Sequence, residues 1–150
     1  MTIENLKHGG IMENNSPNDP SLEVGQAGTN RWRLNGELHR VDGPAVEYTN
    51  GQKEWYLNGV WHRVDGPAVE YADGTNHWYL NGKLHRVDGP AKDDINGRDE
   101  WYLNGVWHRE DGPAVGKKHE HGEAHWWLHG KHYSEADYNM LMFFRLSSKN

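Results

Sequence analysis

The stretch WYLNGVWHRVDGPAVEY, residues 55–71, decides how this chain folds, because close copies of it stand at four places. It recurs as WRLNGELHRVDGPAVEY from Trp32, WYLNGKLHRVDGPAKDD from Trp78 and WYLNGVWHREDGPAVGK from Trp101, so the leading tryptophans fall 23 residues apart. A fifth, decayed copy follows a two-residue insertion, at Trp126, Trp127, Leu128, His129 and Gly130. Upstream, residues 22–30 read as an incoming half-unit, with Gly28 in the place of Gly51 and Gly74. Repetition at such a period marks an array in which each unit buries its apolar surface against its neighbours.

Each unit carries its own turn chemistry. Asn58-Gly59, with Asn35-Gly36, Asn81-Gly82 and Asn104-Gly105, predicts a two-residue type I′ hairpin, which needs positive φ at both positions. Asn50-Gly51 and Asp73-Gly74 mark a second turn. Asp65-Gly66-Pro67 marks a third, its proline placed where no ladder N–H is required. The runs between turns are short, such as Val69-Glu70-Tyr71 and His77-Trp78-Tyr79-Leu80. The expected fold is all-β: tandem 23-residue antiparallel hairpin and meander repeats.

The Asn-Gly turn also fixes a register, with Leu57 opposite Val60, Tyr56 opposite Trp61 and Trp55 opposite His62. Alternation then puts Trp55, Leu57, Val60 and His62 on one face and Tyr56, Trp61 and Arg63 on the other. Trp55 and its equivalents are expected to form the buried ladder. Units two and four read Asn-Gly-Val-Trp, whereas one and three read Asn-Gly-Glu-Leu and Asn-Gly-Lys-Leu. This 46-residue super-period suits a pleated or two-sided stack.

Composition agrees with a thin, turn-rich β protein. The chain has 150 residues with 18 Gly, 8 Trp and 7 Tyr, yet 2 Phe and a mean hydropathy of -1.03. Low hydropathy can mean disorder, but disordered chains are poor in large aromatics. A net charge of -6, with basic residues scattered among the units, argues against nucleic acid as a partner. There is no cysteine, hence no disulfide framework. No apolar run approaches ~20 residues, so no membrane span is expected. The first residues lack an apolar signal core, and the expected location is cytoplasmic.

Three segments follow: 1–21, polar and loosely attached; 22–133, the β-repeat domain; and 134–150, a short capping helix. Ser134-Glu135-Ala136-Asp137 is a capping-box-like start. Tyr138, Leu141, Met142 and 144–145 continue at helical spacing. Repeat arrays need closed ends, so this helix is expected to cap the last unit, with partner binding as its alternative.

The W-Y-L-N-G…H-R-x-D-G-P-A unit, with its aromatic strand, Asn-Gly and further turn glycine, resembles a MORN-repeat variant. It is similar to repeat proteins encoded by tailed bacteriophages and some large DNA viruses, over about Leu22 to Tyr133. The resemblance implies an elongated β-hairpin stack and, in MORN proteins at large, scaffolding or lipid-proximal roles. This sequence lacks the Gly-rich spacing and basic face those roles use, so no membrane attachment is expected. A phage origin would make a bacterial host protein, for instance one of host defence, the natural partner to inhibit or sequester.

The repeated His-Arg and Asp suggest catalysis, yet an active site is usually one asymmetric constellation. Residues present in every unit are usually structural. His62, Arg63, His85, Arg86, His108 and Arg109 are therefore read as inter-unit mortar, with a ligand- or partner-binding role as the functional alternative. Trp61, Trp107, Tyr56 and Tyr102 complete the candidate binding set, because aromatics dominate interface hot spots. No catalytic residue is assigned, and no hydrolase, phosphate-loop or dinucleotide motif occurs. His119, His121, His125, His129 and His132 crowd the end of the chain, and His119-x-His121 on a strand would share a face. With no Asp or Glu partner pattern evident, adventitious metal affinity is expected rather than a built site, and no cofactor is assigned. The chain reads as a non-enzymatic module for a protein partner, with self-association also open. A sponge for a phosphate-bearing nucleotide and a virion or assembly component are the alternatives.

Overall fold

The computed structural model describes residues 11–12, 19–117 and 124–148, and bears out an all-β repeat array ended by one helix. Each unit contributes two things. The segments around the Asn-Gly and Asp-Gly turns supply pairs of strands, such as Lys53–Glu54 and Val69–Glu70, to a continuous 11-stranded antiparallel sheet. Between those two strands the chain leaves the sheet and makes a separate hairpin, Tyr56–Leu57 with Val60–Trp61. The sheet is thus a meander whose connections alternate between a tight turn and a hairpin excursion.

The tight turns owe their closure to Asx geometry. Asn50 accepts from the N–H of Gln52 at 3.0 Å, Asp73 from Thr75 at 2.9 Å and Asp94 from Asn96 at 2.7 Å. The excursions close on type I′ turns: Asn58 and Gly59 have φ of 50° and 75°, and Asn35, Asn81 and Asn104 repeat the pattern. In the decayed unit His129 takes the asparagine place at φ 49°. The pairing is the expected one, with Tyr56 opposite Trp61 and Leu57 opposite Val60.

Successive hairpins are joined by backbone bonds that recur at each step. Gly82 donates to the Trp61 carbonyl at 2.9 Å, and Arg63 donates to the Tyr79 carbonyl at 3.1 Å. Gly130 to Trp107 and Arg109 to Trp127 preserve both bonds across the two-residue insertion, at 3.0 and 3.1 Å. The hairpin row and the sheet are cross-linked where Trp55 donates to the Ala68 carbonyl at 2.8 Å.

That crossing is the core. Ala45, Ala68, Ala91 and Ala114 are all 0% exposed, and Val46, Val69 and Val115 beside them are buried. A junction where two backbones approach within hydrogen-bond distance leaves room for a methyl group and little else. The expected tryptophan ladder is therefore only partly hidden: Trp32, Trp55, Trp78 and Trp101 are half-buried. Large rings cannot enter the crossing, so they line its flank.

One boundary differs from the sequence reading. Ile11–Met12 pair with Leu22 and Glu23, and Ser21 already belongs to a strand, so part of the segment 1–21 extends the sheet. At the other end the helix Glu135–Ser147 begins where expected: Ser134 Oγ accepts from the Asp137 N–H at 3.1 Å. Its buried anchor is Tyr138, whose hydroxyl donates to the Arg109 carbonyl at 2.9 Å and accepts from the Gly112 N–H at 3.2 Å. Met140, Phe143, Phe144 and Leu146 are exposed on the same helix. No helix among the described residues is long and apolar enough to cross a membrane.

Because Gly59 sits at φ 75°, a β-branched side chain there is strained whatever space surrounds it. Replacing Gly59 with Val should cost about 1 kcal/mol or more, read as a lower urea midpoint at unchanged slope.

Candidate functional site

The H-R-x-D-G-P motif forms a small clamp in each of the first four units. Strand pairing ends at Trp61, and the chain then curls so that Arg63 turns back over the hairpin it has just left. Its Cζ lies 4.0 Å from the Trp55 ring centroid. This corrects the face assigned by strict alternation, which holds only while the backbone stays extended. Arg63 Nε donates to Asp65 at 3.0 Å, and Nη1 donates to the Pro67 carbonyl at 3.2 Å and to Glu70 at 2.8 Å. Gly66 completes the arrangement: a Cβ there would come within 2.8 Å of the guanidinium carbon. The other units repeat the stack, with Arg40 on Trp32, Arg86 on Trp78 and Arg109 on Trp101 at 3.9 to 4.1 Å. The hydrogen bond from Arg63, the backbone of its own turn and the guanidinium charge together hold the Asp65 carboxyl below the ordinary range.

The histidines tie one unit to the next. His62 Nδ1 accepts from the Asn81 N–H at 3.2 Å and lies 2.8 Å from the side-chain amide of that residue. His39 meets Asn58 and His85 meets Asn104 with the same geometry. At the last joint the partner is His129, which donates its N–H to His108 Nδ1 at 3.1 Å, with the two rings 4.2 Å apart. Burial, and then the neighbouring His129, push the His108 pKa down.

Successive clamps stand as ridges with grooves between them. One groove of about 560 Å³ is lined by Arg63, Val64, Asp65, Trp78, His85 and Arg86. Another of about 560 Å³ lies one unit earlier and includes Arg40, Trp55 and His62, and a third of about 340 Å³ includes His108 and Arg109. The His and Arg candidates thus come together along one grooved edge. Arg63 Nε and Nη1 and His62 Nδ1 are already engaged within the fold, and what the first three ridges present to solvent is an apolar side chain. Val41, Val64 and Val87 are 80%, 83% and 78% exposed, each next to an exposed aspartate.

The aromatic candidates lie elsewhere. Tyr56 and Trp61 converge on Glu54, a carboxylate that is 6% exposed: the Tyr56 hydroxyl donates to it at 2.9 Å and Trp61 Nε1 at 3.5 Å. Tyr102 and Trp107 repeat this on Glu100 at 2.8 and 3.5 Å. Burial and then the adjacent carboxylate push both tyrosine pKa values far up. Trp61 also stacks 4.8 Å from Tyr79, and Trp107 4.8 Å from Trp127. These rings are half-buried fillers between units. The 46-residue super-period has its physical basis here, since Trp and Glu in one unit alternate with Leu38 or Leu84 and Arg31 or His77 in the next.

Two features were missed from the sequence. The valine between Arg and Asp in the first three units carried a signal, an apolar residue at the same place in a polar motif. The approach of Glu110 to His108 and His129, whose ligand-type atoms all lie within 4.8 Å, had none, because it arises between units. His119 and His121 lie outside the described residues. The chain matches no family model, no curated protein and no solved structure.

The Asp65 shift sets a pH dependence. A depressed carboxyl contributes stability that is fully present above its ordinary pKa of 3.8 and is lost as pH falls through the lower folded value. Arg63→Gln should return the Asp65 midpoint toward 3.8, read from its side-chain carboxyl ¹³C shift. An unchanged midpoint would show that the clamp does not set it.

Proposed function

We propose that this chain is a non-enzymatic binding module that holds a protein partner along its grooved edge. The carrying observation is the exposed valine of the first three ridges, set beside an aspartate and above Arg donors that the fold has already engaged. Exposed apolar side chains in a regular row are unusual on a soluble surface and mark contact sites. The partner that fits offers apolar side chains to the valines and Lys or Arg to the aspartates. Adjacent strands lie ~4.8 Å apart, so two strands per unit put the ridges roughly 10 Å apart. A partner surface with that repeat engages several ridges at once. On the phage resemblance, the partner is a bacterial host protein, such as a defence factor, that this chain inhibits or sequesters.

A phosphate-bearing nucleotide is the weaker candidate. It would need the guanidinium groups, and three hydrogen bonds and one ring stack already occupy Arg63. A role as a virion or assembly component would use the same edge with a different partner.

The test pairs capture with a surface change that leaves the fold alone. Capture from bacterial lysate on the intact chain, followed by intact-mass analysis, should recover a stoichiometric protein. The double variant Val64→Lys, Val87→Lys should keep the wild-type Tm and lose at least tenfold in partner affinity. Failure to recover any stoichiometric protein, or equal affinity in the variant, would contradict the assignment.

A further inference from the structure

The units differ from one another in few places, and two of the differences meet. After each His-Arg the first three units have Val41, Val64 and Val87, whereas the fourth has Glu110. At the first position of each hairpin turn four units have asparagine, whereas the fifth has His129. The inter-unit clasp places these two substitutions beside each other, and both lie against His108, the histidine common to the first four units. We propose that His108, Glu110 and His129 form a binding site for a divalent transition metal of the zinc class, at the joint between the fourth and fifth units.

The donor set suits that chemistry. Two imidazoles and one carboxylate are borderline N and O ligands, which favour zinc, nickel or copper over magnesium or calcium. Their ligand atoms already lie within 4.8 Å of one another. A tetrahedral zinc ion with bonds of ~2.0 Å needs them about 3.3 Å apart. Glu110 and His129 are exposed and can swing through that difference, while His108 is half-buried and held. His108 Nδ1 accepts the His129 N–H, so a neutral ring carries its proton on Nε2. Ligation takes the Nδ1 lone pair, or Nε2 once that proton has moved to Nδ1, and in either case exchanges this hydrogen bond for the metal bond. Three protein ligands leave a fourth position for water or for a partner's side chain.

The terminal helix is drawn into the same site. Arg145 Nη1 donates to Glu110 Oε1 at 3.0 Å. A metal ion would compete with Arg145 for this carboxylate, so binding at the joint is coupled to the helix contact. The competing explanation is purely structural: Glu110 exists to pair with Arg145, and His129 is a residue that tolerates positive φ.

Substitutions that restore the unit pattern separate the two explanations without threatening the fold. The experiment titrates the full chain with zinc by calorimetry, and follows the histidine ring signals by NMR. Wild type should bind one ion in a step that shifts His108 and His129. E110V and H129N should each fold with wild-type circular dichroism and bind at that step at least tenfold more weakly. R145Q, which frees Glu110, should bind at least as tightly as wild type. If the three chains with and without Glu110 and His129 bind equally, the ion is held adventitiously by the other histidines and the site does not exist. Absence of binding to wild type, or unmoved His108 and His129 signals, would overturn it as well.

Discussion

The guanidinium of Arg63 lying on Trp55 is the contact from which the rest of the unit follows. It turns the chain back after the hairpin, holds the Pro67 carbonyl, and delivers Ala68 to the crossing where sheet and hairpin row are joined. Gly66 leaves the space the guanidinium passes through, where a Cβ would force it to shift, and Asp65 gives Nε its acceptor. A cation–π contact contributes roughly 0.5 to 2 kcal/mol depending on desolvation, and hydrogen bonds to a charged group are stronger than neutral ones. A chain with mean hydropathy of -1.03 has little apolar surface to bury, and its fully hidden side chains are mainly alanine and valine. Repeated Arg–Trp clamps and His–Asn clasps supply the cohesion that a larger core would otherwise give.

This division of labour bears on function. Residues that recur in the first four units hold one another, Arg63 through Nε and Nη1 and His62 through Nδ1. On the proposed reading, a partner is met by the valine and aspartate of the first three ridges and by the places where one unit departs from the others. Glu110 and His129 are such departures. The terminal helix, anchored through Tyr138 to the fourth clamp and through Arg145 to Glu110, meets the array at the same joint.

Much of this was legible in the sequence, because turn chemistry is local. Asn58-Gly59 dictates its own φ values and hence its register, and Ser134 dictates the start of the helix. Burial and facing were less legible. Alternation predicts faces only within extended chain, so it failed for Arg63, two residues beyond the end of its strand. Hydrophobicity pointed to the tryptophans as core, whereas the close approach of two backbones reserved that place for alanine. The aromatic candidates Tyr56 and Trp61 are engaged with Glu54, an acceptor from the preceding strand that hairpin reasoning alone does not bring near. Contacts between units depend on how the array stacks, and a sequence read one unit at a time does not contain that information.

The central claim is energetic coupling between the arginine and the ring beneath it. A double-mutant cycle on Trp55→Leu and Arg63→Lys, measured by urea unfolding of the intact chain, tests it directly. The clamp predicts a coupling energy of about 1 kcal/mol, because lysine on leucine retains neither the stack nor the fork of donors. Losses that simply add, to within roughly 0.3 kcal/mol, would mean that the two side chains are neighbours without being partners.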